Sequence, residues 1–492
     1  MRKNLFIKNG IIMSASALII RSIAMFFGIY MAERIGSEGI GLYRLIISIY
    51  VFFASAVSAG FSLTVTRLAT DYFSVGEGSK ARFAAQRCMI LSFIFGAIFG
   101  IDMFLSAGFI GTKFLGDVRC VQPLRILSVS LPFMAVSACV RGYFTARRKT
   151  LQSSGEQLLE QIVEIAVFIL IVEYFKPESL SSACSAAVIG TTAAEFISFF
   201  YAIILYCIDM KRLNVKTKRV NRLYRKILPI AAPVSANSCL RSGLAAIENV
   251  LIPFGLKCYG NNSNFALSQY GIISGMTMPV LTFPTVFILP FAMLIIPEIA
   301  EANIKQHKNS IQHMTDKLLH FTLLYAIPIM IIFIFFAVPI CSALYHNENA
   351  GTFLMMLAPV IPFMYLDSVT DGMLKGLNKQ TSYLVFNLID SIIRVILTYI
   401  LVPIYGIVGV IGVIIVSELL NTTMSLWKLI SITKIQIRIF DSMIRPAICI
   451  VLPCCVCTLI PGTKTTINFI VRLCLCCIFY LTALKLTTKK PT

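Results

Sequence analysis

The sequence predicts an all-α protein that crosses a membrane many times. Of its 492 residues, 57% are hydrophobic and only 13% are charged, and the mean hydropathy is +0.83. Soluble domains carry about 25% charged residues, so this composition excludes an ordinary soluble chain. In addition, apolar stretches of about 20 residues, the length of a membrane-spanning helix, recur along the whole sequence. Together these observations predict a polytopic membrane protein built from spanning helices.

Hydropathy predicts about fourteen spans separated by short loops. The first apolar run is too long for a signal peptide and carries Arg21, so we interpret it as a helix that stays in the membrane. The predicted spans are 10–32, 43–68, 87–110, 123–146, 157–175, 182–208, 228–254, 271–297, 318–340, 353–375, 382–403, 406–429, 443–461 and 466–486. Because the loops are short, no separate soluble domain is expected.

The positive charges predict the orientation of these spans. With the N-terminus inside, the inner segments contain 31 of the 43 lysines and arginines, and the outer segments contain 8. Cytoplasmic loops of membrane proteins carry such an excess. We therefore expect a multi-pass protein of the cytoplasmic membrane with both termini in the cytoplasm. The net charge of +20 follows from the same excess, and no aromatic-interleaved basic stripe indicates nucleic acid as a partner.

The most basic loop lies in the middle of the chain. Residues 209–226 contain eight lysines and arginines, which is typical of a linker lying on the anionic inner leaflet. This loop divides the chain into predicted domains. They are an N-terminal lobe of six spans at 1–208, a cytoplasmic linker at 209–227, a C-terminal lobe of six spans at 228–430, and two final helices with a cytoplasmic tail at 431–492.

The two lobes share a weak internal repeat. The stretch "LPFMAVSACVRGYFTAR" at 131–147 is followed, 230 residues later, by the similar "IPFMYLDSVTDGMLKG" at 361–376. Each copy of the repeat has an even number of spans, so both copies run in the same direction. Transporters with such a parallel repeat move one bundle against the other around a site at their interface.

Ionisable residues inside the spans also follow this repeat. At the spacing of 230 or, for the first pair, 220, the pairs are Arg21 with Arg241, Arg141 with Asp371, Glu160 with Asp390, and Glu164 with Arg394. An ionisable residue in a span must face a partner or water, and is a candidate for function.

The fifteen cysteines and four histidines predict no cofactor. Most cysteines lie in apolar runs, and no cysteine or histidine set has the spacing of a zinc site. The chain has no GxxxxGK[ST] phosphate loop and no HExxH motif. The outer loops are too short to carry a catalytic constellation. We therefore predict that the protein is not an enzyme.

Three stretches carry a resemblance to a known family. They are "ALIIRSIAMFFGIYMAERIGSEGIGLY" at 17–43, "GFSLTVTRLATDY" at 60–72 and "YGIISGMTMPVLTFPTVFILPFAMLIIPEIAEA" at 270–302. Over nearly its whole length the chain resembles the multidrug/oligosaccharidyl-lipid/polysaccharide (MOP) flippase superfamily. Within it, the chain is similar to the stage V sporulation protein B and polysaccharide-exporter branch, which is related to MurJ-type lipid II flippases. The resemblance implies translocation of an undecaprenyl-pyrophosphate-linked sugar across the cytoplasmic membrane.

Arginines within the spans are candidates for binding the pyrophosphate of such a substrate. A guanidinium is always charged and binds phosphate through two hydrogen bonds. Arg21 lies in the middle of the first span, where MurJ-type flippases have a cavity arginine, and Arg241 is its repeat mate. Arg394 is the third candidate. The alternative for each arginine is a pair with a carboxylate that serves packing alone.

Carboxylates within the spans are candidates for gating and for coupling. We expect Glu164 and Arg394 to pair in one conformational state and to separate in the other. The alternative is a local pair between Arg394 and Asp390, which is four residues earlier. Glu248 lies seven residues after Arg241 and therefore on the same helix face. Desolvated carboxylates of this kind could exchange H⁺ or bind Na⁺ and so couple transport to a cation gradient. The membrane potential is the alternative energy source for transport.

The second copy of the repeat contains two aspartates, Asp367 and Asp371, near the inner membrane surface. We expect Asp371 to pair with Lys375, one helical turn away, whereas Asp367 lies a turn deeper and is the better cavity candidate. Because Arg141 and Asp371 are repeat mates of opposite charge, we hypothesise an inner gate formed by these two residues. Glu195 and Glu418 could also bind a coupling cation or proton, but we favour their interpretation as structural ties near helix ends.

Two alternatives stay open on the sequence alone. A cation-coupled multidrug antiporter of the same superfamily is the alternative function, although such a protein needs an acidic cavity, and Arg21 and Arg241 argue against one.

The prolines and glycines at 271–297 predict breaks in a span. These breaks could bend during transport or form a static kink. We expect a monomer whose partners are the lipid-linked sugar and membrane lipids.

Overall fold

The protein is all-helical in a computed structural model. The structure describes residues 2–176, 179–213, 223–260, 262–435, 440–459, 472 and 475–482. No strand occurs in this part of the chain, which confirms the all-α part of the predicted fold class. The chain divides into two compact units, Met1–Gly271 and Ile272–Thr492.

The part of the first unit that the structure describes contains eight α-helices. They are α1 (Arg2–Ser74), α2 (Gly78–Phe109), α3 (Val121–Ser128), α4 (Leu131–Ala146), α5 (Thr150–Phe175), α6 (Leu180–Leu213), α7 (Tyr224–Gly260) and α8 (Ser263–Gly271). A buried apolar cluster joins α1, α2, α4, α6 and α7. The first residues of the predicted basic linker belong to α6, and residues 214–222 of the linker lie outside the described residues.

Seven α-helices of the second unit are described with both of their ends, and residues 475–482 are helical as well. The seven helices are α9 (Met278–Thr282), α10 (Thr285–Ile304), α11 (Lys308–Tyr345), α12 (Glu348–Leu357), α13 (Ile361–Gly376), α14 (Gln380–Thr433) and α15 (Arg445–Leu459). Helix α15 packs on α11 through a small apolar cluster that includes Ile331, Ile450 and Cys454.

The longest helices, α1 and α14, are each interrupted once by a glycine. Gly36 has φ 70° and Gly406 has φ 58°, a left-handed conformation that glycine adopts without steric cost. The stretch Ala15–Ser74 alone has 60 residues, which as one straight helix would measure about 90 Å against a bilayer core of about 30 Å. Gly36 lies between the predicted spans 10–32 and 43–68, and Gly406 is the first residue of the predicted span 406–429. That α1 and α14 each provide two spans stays a prediction.

The described residues include eight helices that are long and apolar enough to cross a membrane. A ninth candidate is the bent pair Val118–Ser128 and Leu131–Ala146. These helices confirm a multi-pass membrane protein. The total of fourteen spans stays a prediction.

Helices α7 and α8 pack on α1 within the first unit, although the sequence repeat assigns them to the second lobe. The packing is very close, because Gly60 of α1 lies against the carbonyl of Ala231 and the hydroxyl of Ser235. Further along, the hydroxyls of Ser55 and Ser242 are 2.5 Å apart. The boundary between compact units therefore differs from the predicted boundary between repeats.

The broken span after α8 is restrained by two tyrosines of the second unit. A π-helical turn at Ile272–Thr277 leads into α9, and the chain turns again at Phe283 and Pro284. The Tyr365 hydroxyl donates to the carbonyl of Leu281 at 3.2 Å, and the Tyr325 hydroxyl donates to that of Pro284 at 3.0 Å. These bonds satisfy backbone oxygens at the break and favour a static kink over a bending hinge.

The close packing of α1 on α7 yields a test. Gly60→Ala should lower the melting temperature of the purified protein, because the added methyl collides with the Ala231 carbonyl; overpacking of this kind costs about 1–3 kcal/mol. Gly28→Ala is the matched control on the same helix, since a Cβ there meets no atom within 4 Å. Equal melting temperatures for the two variants would contradict the described packing.

Candidate functional site

A cluster of charged side chains lies between α4, α5 and α6 of the first unit. Arg141 of α4 donates from Nη1 to both Glu156 oxygens, at 2.8 and 3.1 Å, and to Glu160 Oε2 at 3.2 Å. The Ser198 hydroxyl of α6 donates to Glu156 Oε1 at 2.5 Å. Glu156 is only 2% exposed and Glu195, on α6, only 6%. Arg141, proposed from sequence for an inner gate, is thus ion-paired within its own unit.

Glu164 lies one turn further along α5 and has three hydrogen-bond partners in the first unit. Its Oε1 accepts from the Thr191 hydroxyl at 2.8 Å and from the Tyr43 hydroxyl at 3.5 Å, and its Oε2 accepts from Gln161 Nε2 at 3.2 Å. Residues from α1, α5 and α6 therefore converge on this carboxylate. Sequence reasoning missed Tyr43 and Thr191, because they are far from Glu164 along the chain.

The second unit repeats this arrangement within α14. The Ser417 hydroxyl donates to Asp390, and these residues are 27 positions apart, the same separation as Thr191 and Glu164. By this contact, Asp390 is the structural counterpart of Glu164, whereas the constant spacing of 230 pairs Glu164 with Arg394.

Arg394 also has a partner in its own unit, as its Nη1 lies 3.9 Å from Glu418 Oε1. Ser417 and Glu418 follow the break at Gly406, and Asp390 and Arg394 precede it. Contacts between them mean that the two halves of α14 lie side by side. The contact at Glu418 connects the two halves of α14, and its role as a structural tie stays a prediction. A switching pair between Glu164 and Arg394 stays a prediction, because each has partners inside its own unit here.

The acidic positions of α13 face the second half of α14. Asn421 Nδ2 donates to Asp367 Oδ2 at 3.0 Å. Asp371 lies one turn further along α13. The ammonium of Lys375, predicted to pair with Asp371, lies 4.1 Å from the centre of the Tyr383 ring, where a cation is attracted to the ring face.

The predicted phosphate-binding arginines lie on packed helices of the first unit. Arg21 is an exposed residue of α1, and Arg241 and Glu248 are half-buried residues of α7. The half of α1 that follows Gly36 packs on α7, and the Ser55–Ser242 contact fixes the rotation of α7 about its axis. Ser242 faces α1, so its neighbour Arg241 is turned about 100° away from that contact.

Comparison with known proteins decides the family. The family model described as "Polysaccharide biosynthesis protein" matches residues 6–302. The chain belongs to this family. A second model, MatE, matches residues 258–400. These matches, with the relatives below, confirm the MOP superfamily predicted from the sequence.

Two relatives of this chain support the same conclusion. Stage V sporulation protein B of Bacillus subtilis is 21% identical over 459 residues, which cover 92% of this chain and 88% of the relative. Lipid II flippase MurJ of the same organism is 22% identical over 439 residues, which cover 83% of this chain and 79% of the relative. This chain is thus similar to both relatives over most of their lengths.

Solved structures show the same fold. Lipid II flippase MurJ in an inward closed conformation matches with a TM-score of 0.72 at 15% identity, over 96% of this chain and 98% of that chain. An inward-facing multidrug resistance MATE family transporter of the MOP superfamily matches with a TM-score of 0.66 at 14% identity, over 86% and 98%. At these identities the likeness concerns the fold alone.

The charge cluster around Arg141 predicts a large loss of stability on removal of one partner. Arg141→Gln leaves Glu156 buried without its counter-ion, and breaking such a pair costs about 3–5 kcal/mol. The melting temperature in detergent should fall strongly. Arg34→Gln is the control, because Arg34 also forms an ion pair, with Glu173 at 2.6 Å, but both side chains are nearly half exposed. A similar small change in both variants would contradict the structural role of Arg141.

Proposed function

We propose that the family protein is a flippase for an anionic, lipid-linked sugar that carries a pyrophosphate, such as a lipid II-like peptidoglycan precursor or an undecaprenyl-linked oligosaccharide. The observation that carries this proposal is the placement of Arg21 and Arg241 on α1 and α7, two apolar helices of the same compact unit. Guanidinium groups in such a setting suit phosphate oxygens, because both hydrogen-bond geometry and charge match.

In the proposed cycle, the arginines take the head group from the cytoplasmic side, and the lipid tail stays in the bilayer. The head group then leaves on the outer side after the lobes rearrange, and Arg394 provides a further contact. We place the protein in the cytoplasmic membrane as a monomer with both termini inside. No covalent chemistry is involved, so the protein is proposed not to be an enzyme.

The proposed energy source for translocation is a cation gradient or the membrane potential. The membrane potential contributes about 2.3 kcal/mol per charge at 100 mV. Glu164 and Asp390 are suited to coupling, because each lies inside a span and holds a hydroxyl partner that a proton or cation could displace. Glu248, on α7 with Arg241, is a third candidate. The Arg141–Asp371 gate would require Arg141 to exchange Glu156 for Asp371 in another state.

A cation-coupled multidrug antiporter is the second candidate function. It is favoured by the acidic character of the first unit, in which Glu156, Glu160 and Glu195 surround a single arginine. The MatE match over 258–400 points the same way. The two functions differ in the charge of the transported molecule.

Complementation distinguishes the two functions. Expression of the wild-type chain should rescue growth of a bacterial strain depleted of its lipid II flippase, and Arg21→Ala at equal membrane abundance should not, because the phosphate loses its cationic partner. Arg34→Ala, at a second arginine of α1, is the matched control and should rescue. Rescue by Arg21→Ala would contradict the assigned role of Arg21. A wild type that fails to rescue but confers resistance to cationic drugs would favour the antiporter.

A further inference from the structure

Two tyrosine hydroxyls at one end of the first unit are buried without a hydrogen bond. The ends of α1 and α6 meet the start of α7 there, and the sequence predicts that this end faces the cytoplasm. The hydroxyls of Tyr72 on α1 and Tyr206 on α6 have no partner among the described residues. Tyr206 is only 5% exposed. Because folded proteins rarely leave buried polar atoms unsatisfied, these two donors point to an acceptor that binds from outside the chain.

Aromatic contacts connect the two tyrosines. The ring centre of Tyr206 lies 5.0 Å from that of Tyr143, whose ring centre lies 6.1 Å from that of Phe73. Phe73 is the chain neighbour of Tyr72, and both pack against the apolar cluster that contains Tyr206. The hydroxyl of Tyr143, in contrast, donates to Asp209 at 2.6 Å. An acceptor within the chain is therefore described for Tyr143 and not for the other two tyrosines.

Cations lie close to both hydroxyls. The ammonium of Lys226, on α7, is 6.0 Å from the centre of the Tyr72 ring. The guanidinium of Arg82, on α2, is near enough to the Tyr206 hydroxyl to act on it electrostatically. Positive charge is also in excess over this whole end of the unit. Eleven lysines and arginines, against three aspartates and glutamates, lie in the described segments that form it, which are 67–87, 147–149, 209–212 and 223–226.

The donors and the charge together select an oxyanion as the ligand. Asp209, the buried carboxylate of this cluster, is already paired with Arg147 and Lys149. Water could accept hydrogen bonds from the tyrosine hydroxyls, but it would leave the excess positive charge unbalanced. A phosphate group does both, because its several oxygens accept from hydroxyl and ammonium donors at once and carry negative charge.

We propose that Tyr72, Tyr206 and Lys226 bind a phosphate group at this end of the first unit. Arg82 adds positive charge beside it. The phosphate belongs to the head group of an anionic phospholipid or to a free phosphate ion, and exposed Lys226 opens the site to the membrane surface. None of these residues is among the arginines assigned to the transported head group. The inference therefore goes beyond the proposed function, and the binding requires no transport.

Phosphate-dependent stability of the purified full-length chain tests this site. In maltoside micelles, the melting temperature should rise saturably with sodium phosphate while sodium chloride keeps the ionic strength constant. Tyr206→Phe removes one donor and no charge. It should raise the phosphate concentration at half-maximal effect by about 10–100-fold, as loss of a contact to a charged group does. Tyr224→Phe, which removes an exposed hydroxyl of α7, is the control and should not. An identical rise in Tyr206→Phe and the wild type would reveal a general salt effect and overturn the proposal.

A lipid titration distinguishes the two sources of the phosphate. Phosphatidylglycerol is added to the same micelles, with zwitterionic phosphatidylcholine as the control lipid. A saturable rise in melting temperature with phosphatidylglycerol, weakened in Tyr206→Phe, assigns the site to a phospholipid head group. A response to inorganic phosphate alone assigns it to a free ion. A wild type that responds to neither anion would overturn the proposal.

A second variant keeps the test decisive if Tyr206→Phe folds poorly. Lys226 is exposed, so Lys226→Gln leaves the buried packing intact, and it should weaken the response by a similar factor. Lys305→Gln, which removes an exposed lysine next to α10, is the matched control and should keep the response. Unchanged affinity in both Tyr206→Phe and Lys226→Gln would refute the site. Failure of complementation with intact phosphate binding would instead refute the flippase function.

Discussion

The structure depends on the need to pair every charge that lies inside an apolar span. An unpaired ion in a membrane costs several kcal/mol, so a charged residue constrains its neighbours. Arg141 shows this most clearly, because its guanidinium holds Glu156 and Glu160 of α5 and so fixes α5 against α4. Ser198 then ties α6 to the same carboxylate. The charges of this helical bundle therefore determine how its helices are rotated, in addition to any role in transport.

The sequence predicted the fold class well, because spanning helices follow from apolar length alone. It also separated the spans near Gly36 and Gly406, where glycine allows the left-handed turn that divides a long helix. The packing of α7 against α1 could not be predicted. It depends on backbone contact at small residues such as Gly60, and this leaves no periodic signal in hydropathy.

The candidate site was predictable only as a set of charged positions. Hydropathy identified Arg141, Glu164 and Asp367 as charged residues that are costly to bury in a membrane, but most of their partners lie on other helices. A local i,i+4 rule suggested Asp390 for Arg394, but it could not indicate the further contact with Glu418, which arises because the two halves of α14 lie side by side. The family matches then supply the class of protein, and the chemistry of the substrate remains a proposal based on the arginines.

The central claim is that Arg21 and Arg241 recognise the pyrophosphate of a lipid-linked sugar. The most direct measurement is the affinity of the purified protein for undecaprenyl-pyrophosphate-linked sugar, compared with undecaprenol, which has the same tail but lacks the phosphates. We predict tighter binding of the pyrophosphate lipid by the wild type, and a loss of about 10–100-fold in the double variant Arg21→Ala, Arg241→Ala, because each removed contact is a hydrogen bond to a charged group. Equal affinity for the two lipids, or unchanged affinity in the double variant, would contradict the account.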